Sequence, residues 1–189
     1  MEILYKNRFE IFFLTLLGIL FGSVIFPGDF FESIFQPILF LLNFAAGILL
    51  ISKNRALMWL FVVLFAVETF LLVGYLWGKL DNPGYFILRL GIYFVFYVVI
   101  TVNIIRQVWK ASFVNRDVIY GLMCGYIALG LLAFFCFRTL EIVHSGSFSG
   151  LSGDEDIIDS LLYFSYMTLL TIGYGDISPI SPVAQKVAI

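Results

Sequence analysis

Long apolar runs divided by short polar breaks dominate the chain. The first runs from about Phe9 to Phe26 and stops at Pro27-Gly28-Asp29. A second starts near Ile34, takes Pro37 in its first turn, and ends before Ser52-Lys53-Asn54-Arg55. The third covers about Ala56 to Leu76. Asp81-Asn82-Pro83-Gly84 then separates it from a fourth, about Tyr85 to Val108. The fifth opens after Asn115-Arg116-Asp117, where Asp117 is placed to cap it, and continues to about Phe137. Each run holds roughly 17–24 residues, the length at which an α-helix crosses a hydrocarbon layer of roughly 30 Å. The pattern predicts an all-α membrane protein with five spans.

The next apolar stretch is shorter. His144 to Gly153 is small and polar, a loop. Asp154, Glu155, Asp156 and Asp159 follow, acidic residues suited to a helix N-terminus. Ile157 to Leu170 then supplies about 14 apolar-rich residues, too few to cross. A helix of that length entering from the outer side ends near mid-membrane. Non-helical backbone is tolerated there only inside protein or around water. A re-entrant pore loop meets that condition.

Composition agrees with the pattern. Hydrophobic residues make up 61% of the 189 positions and charged ones 13%, too few for the polar shell of a water-soluble domain. The net charge of −2 says little, and no basic run suits nucleic acid. Cys124 and Cys136 share one helical run, roughly 18 Å apart along its axis and beyond disulfide reach. His144 has no second His or Cys near it, which argues against zinc. Lys6 and Arg8 precede the first run without an Ala-x-Ala-like cleavage site, as in a retained signal anchor.

Charge distribution is more informative than its total. Lys6, Arg8, Lys53, Arg55, Arg106, Lys110 and Arg116 fall on one side of the five-span plan. The other side carries Asp29, Glu32, Asp81, Asp154, Glu155, Asp156 and Asp159, with Lys79 and Arg138 against them. The positive-inside rule then places the N-terminus in the cytoplasm and Glu141 to Asp159 outside. Trp59, Trp77 and Trp109 sit at span ends, where indoles prefer the interface.

The chemistry-bearing motif follows the short helix. Tyr163-Phe164-Ser165-Tyr166-Met167-Thr168-Leu169-Leu170-Thr171-Ile172-Gly173-Tyr174-Gly175-Asp176 resembles the pore helix and selectivity filter of the tetrameric potassium channels, with Ile172 where Val is common. Residue type matters here. Carbonyls face one axis only if successive residues alternate in handedness, and Gly173 and Gly175 reach positive φ without Cβ strain. The resemblance implies that the carbonyls of Thr171, Ile172, Gly173 and Tyr174, with the Thr171 hydroxyl, coordinate K⁺, and that Gly175 completes the ion-binding run. It also implies that Ile172 and Tyr174 brace the ring from behind, with Tyr163, Phe164, Thr168 and Asp176 as filter support. Tyr163 and Phe164 stand where the family often has two tryptophans, and Phe164 brings no donor or acceptor. Met167 replaces an acidic residue of some relatives and reads as packing. Leu170 replaces the usual Thr and bears on blocker access at the inner mouth. Asp154, Glu155 and Asp156 either concentrate cations at the outer mouth or form a merely solvated turret.

Four spans before a pore resemble the voltage-gated channel plan. A sensor of that kind carries cations at every third position of its fourth span. From Arg89 those places are Ile92, Val95 and Val98, all uncharged, so the module is sensor-like in layout and degenerate in charge. Glu68, inside the third span, is costly without a partner, and Arg89 is the candidate. A protonated Glu68 beside a polar neighbour is the alternative. Gly121-x-x-x-Gly125 allows close helix approach and is a candidate tetramer contact.

The resulting plan is a sensor-like four-helix module over 1–110 and a pore module over 111–189. The pore module comprises an outer pore helix, a re-entrant pore helix, the filter and the start of a sixth helix at Ser181-Pro182. The nine residues Ser181 to Ile189 are too few for the sixth helix that closes the family's pore, so the chain as given is expected to conduct poorly unless that helix is supplied. Either that helix is missing from the sequence, or the chain is a five-span form. The function implied is a K⁺-selective homotetrameric channel in the plasma or bacterial inner membrane. It would need no cofactor and no enzymatic activity, its partners being K⁺ and lipid. A non-conducting subunit that regulates a full-length channel is the alternative.

Overall fold

The computed structural model describes residues 7–25, 35–51, 54–78, 83–151 and 157–189. Lys6, Phe26 to Asp29, Glu32, Ile34, Ser52, Lys53, Lys79, Asp81, Asn82 and Asp154 to Asp156 lie outside the described residues. The five long apolar runs become helices α1 (Arg8–Ile25), α2 (Gln36–Ile51), α3 (Arg55–Leu76), α4 (Pro83–Trp109) and α5 (Arg116–Val143). After them come strand β1 (Phe148–Ser149), helix α6 (Ile157–Leu169), strand β2 (Ser178–Pro179) and helix α7 (Pro182–Val187). Among the described residues the protein is all-α apart from one two-residue antiparallel pairing. Helices α1, α3, α4 and α5 are long and apolar enough to cross a bilayer. Helix α2, expected as the second span, is described over 16 residues.

Two boundaries differ from the expected ones. Asn115 caps α5, its side-chain oxygen accepting from Val118 N–H at 3.0 Å, whereas Asp117 reaches Arg8 at 3.1 Å. Asp117 therefore serves an ion pair rather than the cap. At its other end α5 continues past Phe137 to Val143. Phe137 and Leu140 are buried there, so apolar burial carries the helix up to the loop expected from His144.

The chain forms two compact units, residues 1–127 and 128–189, which meet inside α5. Within residues 1–127, Phe44 stacks on Phe96 at 3.9 Å and Phe61 lies 4.9 Å from Phe96. Gly47 makes room for this, since a Cβ there would stand 2.7 Å from the Phe96 ring. Buried Asn43 donates to Thr15 at 2.9 Å and accepts from Tyr97 at 2.8 Å, so an apolar bundle holds a satisfied amide.

Gly121 and Gly125 face their own chain. A Cβ on Gly121 would meet Val108 at 2.9 Å and Phe9 at 3.4 Å, and one on Gly125 would meet Ile104 at 3.4 Å. The small-residue face expected at a tetramer contact is thus filled by α1 and α4. Along α4 the core takes Tyr93, Phe96, Tyr97, Ile100 and Ile104, while Val95 and Val98 are exposed. A period of 3.6 carries the every-third positions off the inner face. The residues that replace them there are also uncharged.

Candidate functional site: the pore loop

Helix α6 buries Leu161, Leu162, Phe164 and Ser165, and the Ser165 hydroxyl donates to the Leu162 carbonyl at 2.7 Å. It ends through a tightening series. Leu170 N–H donates to Tyr166 O at 2.8 Å, Thr171 N–H to Thr168 O at 3.0 Å, and Ile172 N–H to Met167 O at 3.0 Å. These bonds answer carbonyls that a helix C-terminus otherwise leaves open. They also set the direction in which the chain departs.

Beyond them Thr171, Gly173 and Gly175 have φ of 56°, 56° and 81°. Among the described non-glycine residues Thr171 alone has positive φ, so Ile172 and Tyr174 lie on the ordinary side. The segment therefore alternates in handedness over five residues, 171 to 175. The glycines were legible from sequence; Thr171 was not. A β-branched residue in the left-handed region costs about 1–3 kcal/mol, a strain that persists only where surroundings impose it. The two bonds from Thr171 and Ile172 N–H to the end of α6 supply that constraint. Residues 171–176 are all exposed in the single chain, with Tyr174 at 76%.

The residues expected as support divide their work. The Tyr163 hydroxyl interacts electrostatically with the Asp176 carboxylate at the end of the motif. Phe164 is buried and packs on Phe137 at 5.1 Å and Phe148 at 5.5 Å, all within its own chain. Thr168 contributes its carbonyl to Thr171. Gly130 brings α5 against α6, since a Cβ there would overlap the Tyr166 ring.

A second layer, invisible in the motif, holds the return of the chain. Phe148 pairs with Pro179 and Ser149 with Ser178. The buried Glu141 carboxylate accepts from Gly146 N–H at 2.6 Å and Ser147 N–H at 3.0 Å. The Ser147 carbonyl in turn accepts from Ile180 N–H at 2.9 Å. Gly150, at φ 80°, lies so close to Asp176 that a Cβ would overlap its carbonyl oxygen. Sequence reading missed Glu141, Phe148 and Gly150. One signal was available, since Phe148 is the one aromatic residue between His144 and Gly153.

The intramembrane pair lies elsewhere, within residues 1–127. Arg89 reaches Glu68 Oε1 through Nη2 at 2.6 Å and Nε at 2.8 Å. Tyr93 donates to the same carboxylate oxygen and accepts from Arg89 at 3.0 Å, a third member absent from the sequence reading. Glu68 is fully buried and the Arg89 side chain 11% exposed. A carboxylate and guanidinium at that depth require each other, because neither has water.

The sequence profile of the ion channel family matches residues 121–189. The chain is 34% identical over 67 residues to two pore potassium channel c of Oryza sativa subsp. japonica, a stretch covering 35% of this chain and 13% of that protein. The chain thus spans a small part of the relative it matches. No solved structure matches it. The match to the ion channel profile, with four long apolar helices, marks an integral membrane protein.

Two measurements check this geometry. Gly150→Ala meets both left-handed strain and the Asp176 carbonyl, whereas Gly146→Ala, also at positive φ, has nothing within 4 Å. The first should therefore lower the thermal midpoint of the purified protein more than the second, and equal shifts would contradict the close approach. Arg89→Met should destabilise the four-helix unit by about 3–5 kcal/mol by stranding a buried carboxylate. Adding Glu68→Met should recover most of that loss in the same denaturation assay.

Proposed function

We propose that the chain is a K⁺-selective channel subunit that works as a homotetramer, with Thr171 to Asp176 as its filter. The observation that carries this reading is the alternation of handedness at Thr171, Gly173 and Gly175 directly beyond a short helix. Such backbone turns successive carbonyls toward one side. Four copies around an axis would then form stacked oxygen rings from Thr171, Ile172, Gly173 and Tyr174, which replace the hydration shell of K⁺. The α6 dipole adds its negative end beside this path and favours a cation. One chain supplies a quarter of each ring and leaves Tyr174 76% exposed, so neighbouring copies are needed both to complete the site and to cover it.

Functionally, residues 1–110 serve as a sensor-like module with little voltage sensing and 111–189 as the pore module. Among described residues, Arg89 is the cation on the buried side of α4, and Glu68 and Tyr93 hold it. One charge moved through 100 mV yields about 2.3 kcal/mol, against three or four charges per subunit in a working sensor. The basic residues Arg8, Arg106, Lys110 and Arg116 favour a cytoplasmic N-terminus in a plasma or bacterial inner membrane.

In a preparation that conducts, reconstituted protein should show a reversal potential that follows the K⁺ gradient and not the Na⁺ gradient. Gly173→Ala should abolish selectivity or conduction, since its φ of 56° opposes a Cβ. Conduction that ignores the K⁺ gradient, or an unaffected variant, would remove the filter assignment. Open probability should also vary shallowly with voltage, and an e-fold rise within a few millivolts would show a sensor other than α4.

A further inference from the structure

The linker between α4 and α5 adjoins a cleft of about 280 Å³ whose lining includes Arg8, Phe9, Gln107, Lys110, Asn115 and Asp117. An ion pair fixes its wall, Arg8 with Asp117 at 3.1 Å. Arg8 and Lys110 are its cations, against the carboxylate of Asp117. That carboxylate is already engaged by Arg8, which leaves the charge of Lys110 in surplus.

Three large apolar residues stand on the same linker almost fully exposed: Trp109 at 87%, Phe113 at 84% and Val114 at 82%. They lie between two helices long enough to span, so the linker runs at the bilayer surface. Indoles settle at headgroup depth, and basic pockets between spanning helices take anionic headgroups. We propose that this cleft binds the phosphate of an anionic phospholipid, whose acyl chains lie along Trp109, Phe113 and Val114. Lys110 meets the phosphate charge, and Gln107 and Asn115 offer amide groups for the headgroup. A soluble anion satisfies the cations and leaves the apolar triad uncovered, which is why the occupant is a lipid.

Trp109 itself provides the readout. The chain has three tryptophans, and the others, Trp59 and Trp77, are exposed at 63% and 73%, so a W59F/W77F background isolates it without touching the core. The full chain is placed in phosphatidylcholine bilayers containing a minor fraction of brominated phosphatidylglycerol, or the same fraction of brominated phosphatidylcholine. Preferential quenching by the anionic lipid is expected. Lys110→Gln should weaken that preference about fivefold, the effect of one cation near an anionic surface. Lys186→Gln, on exposed α7, should leave it unchanged. Equal quenching by both lipids, or an unaltered preference in Lys110→Gln, would overturn the proposal. So would loss of the preference in millimolar inorganic phosphate, which would reveal a soluble-anion site. Trp109 unquenched by either lipid would mean that protein, such as a second copy, covers the linker. These readouts are independent of conduction.

Discussion

A backbone that leaves the helix inside a membrane must have its polar groups answered by protein, by water or by an ion. That constraint organises the pore-side unit. Helix α6 is too short to cross, and its last carbonyls are taken by the N–H groups of Leu170, Thr171 and Ile172. Those bonds hold Thr171 in a conformation that its side chain resists. Local strain is therefore sustained by the helix end, the part of the unit whose own hydrogen bonding needed completion.

Keeping such a segment in place falls to residues distant in sequence. Phe137, Phe148 and Phe164 form an aromatic cluster behind the loop, joining α5, β1 and α6. Glu141 holds the backbone of Gly146 and Ser147, and Ser147 holds Ile180 and Ser181. The electrostatic interaction between Tyr163 and Asp176 acts from the other side. Polar bonds fix direction and apolar burial supplies most of the stabilisation, a division that leaves the motif itself exposed.

The four-helix unit manages its charge differently. Its ion pairs among the described residues are the Glu68–Arg89 pair, joined by Tyr93, and those at the starts of α1 and α5. Between these lie stacked rings from Phe44, Phe61 and Phe96 and the satisfied amide of Asn43. Packing of that density opposes translation of α4 past its neighbours, because Gly47 leaves no spare room under Phe96. The layout of a sensor is thus combined with a core better suited to holding still.

Hydropathy by itself determined the helical class, four spanning helices near their observed limits, and the short helix preceding the motif, because apolar length is a local property that a bilayer reads directly. Residue type also identified Gly173 and Gly175, whose freedom at positive φ is intrinsic. Tertiary structure alone decided the rest. The left-handed Thr171 depends on bonds to a helix end, the extension of α5 depends on burial of Phe137 and Leu140, and the glycine at 150 matters only because the Asp176 carbonyl arrives there. Gly121 and Gly125 had the spacing of an intersubunit contact and were taken up by Phe9, Ile104 and Val108 instead. Spacing along one helix states which face is small. What fills that face depends on residues brought to it by the fold.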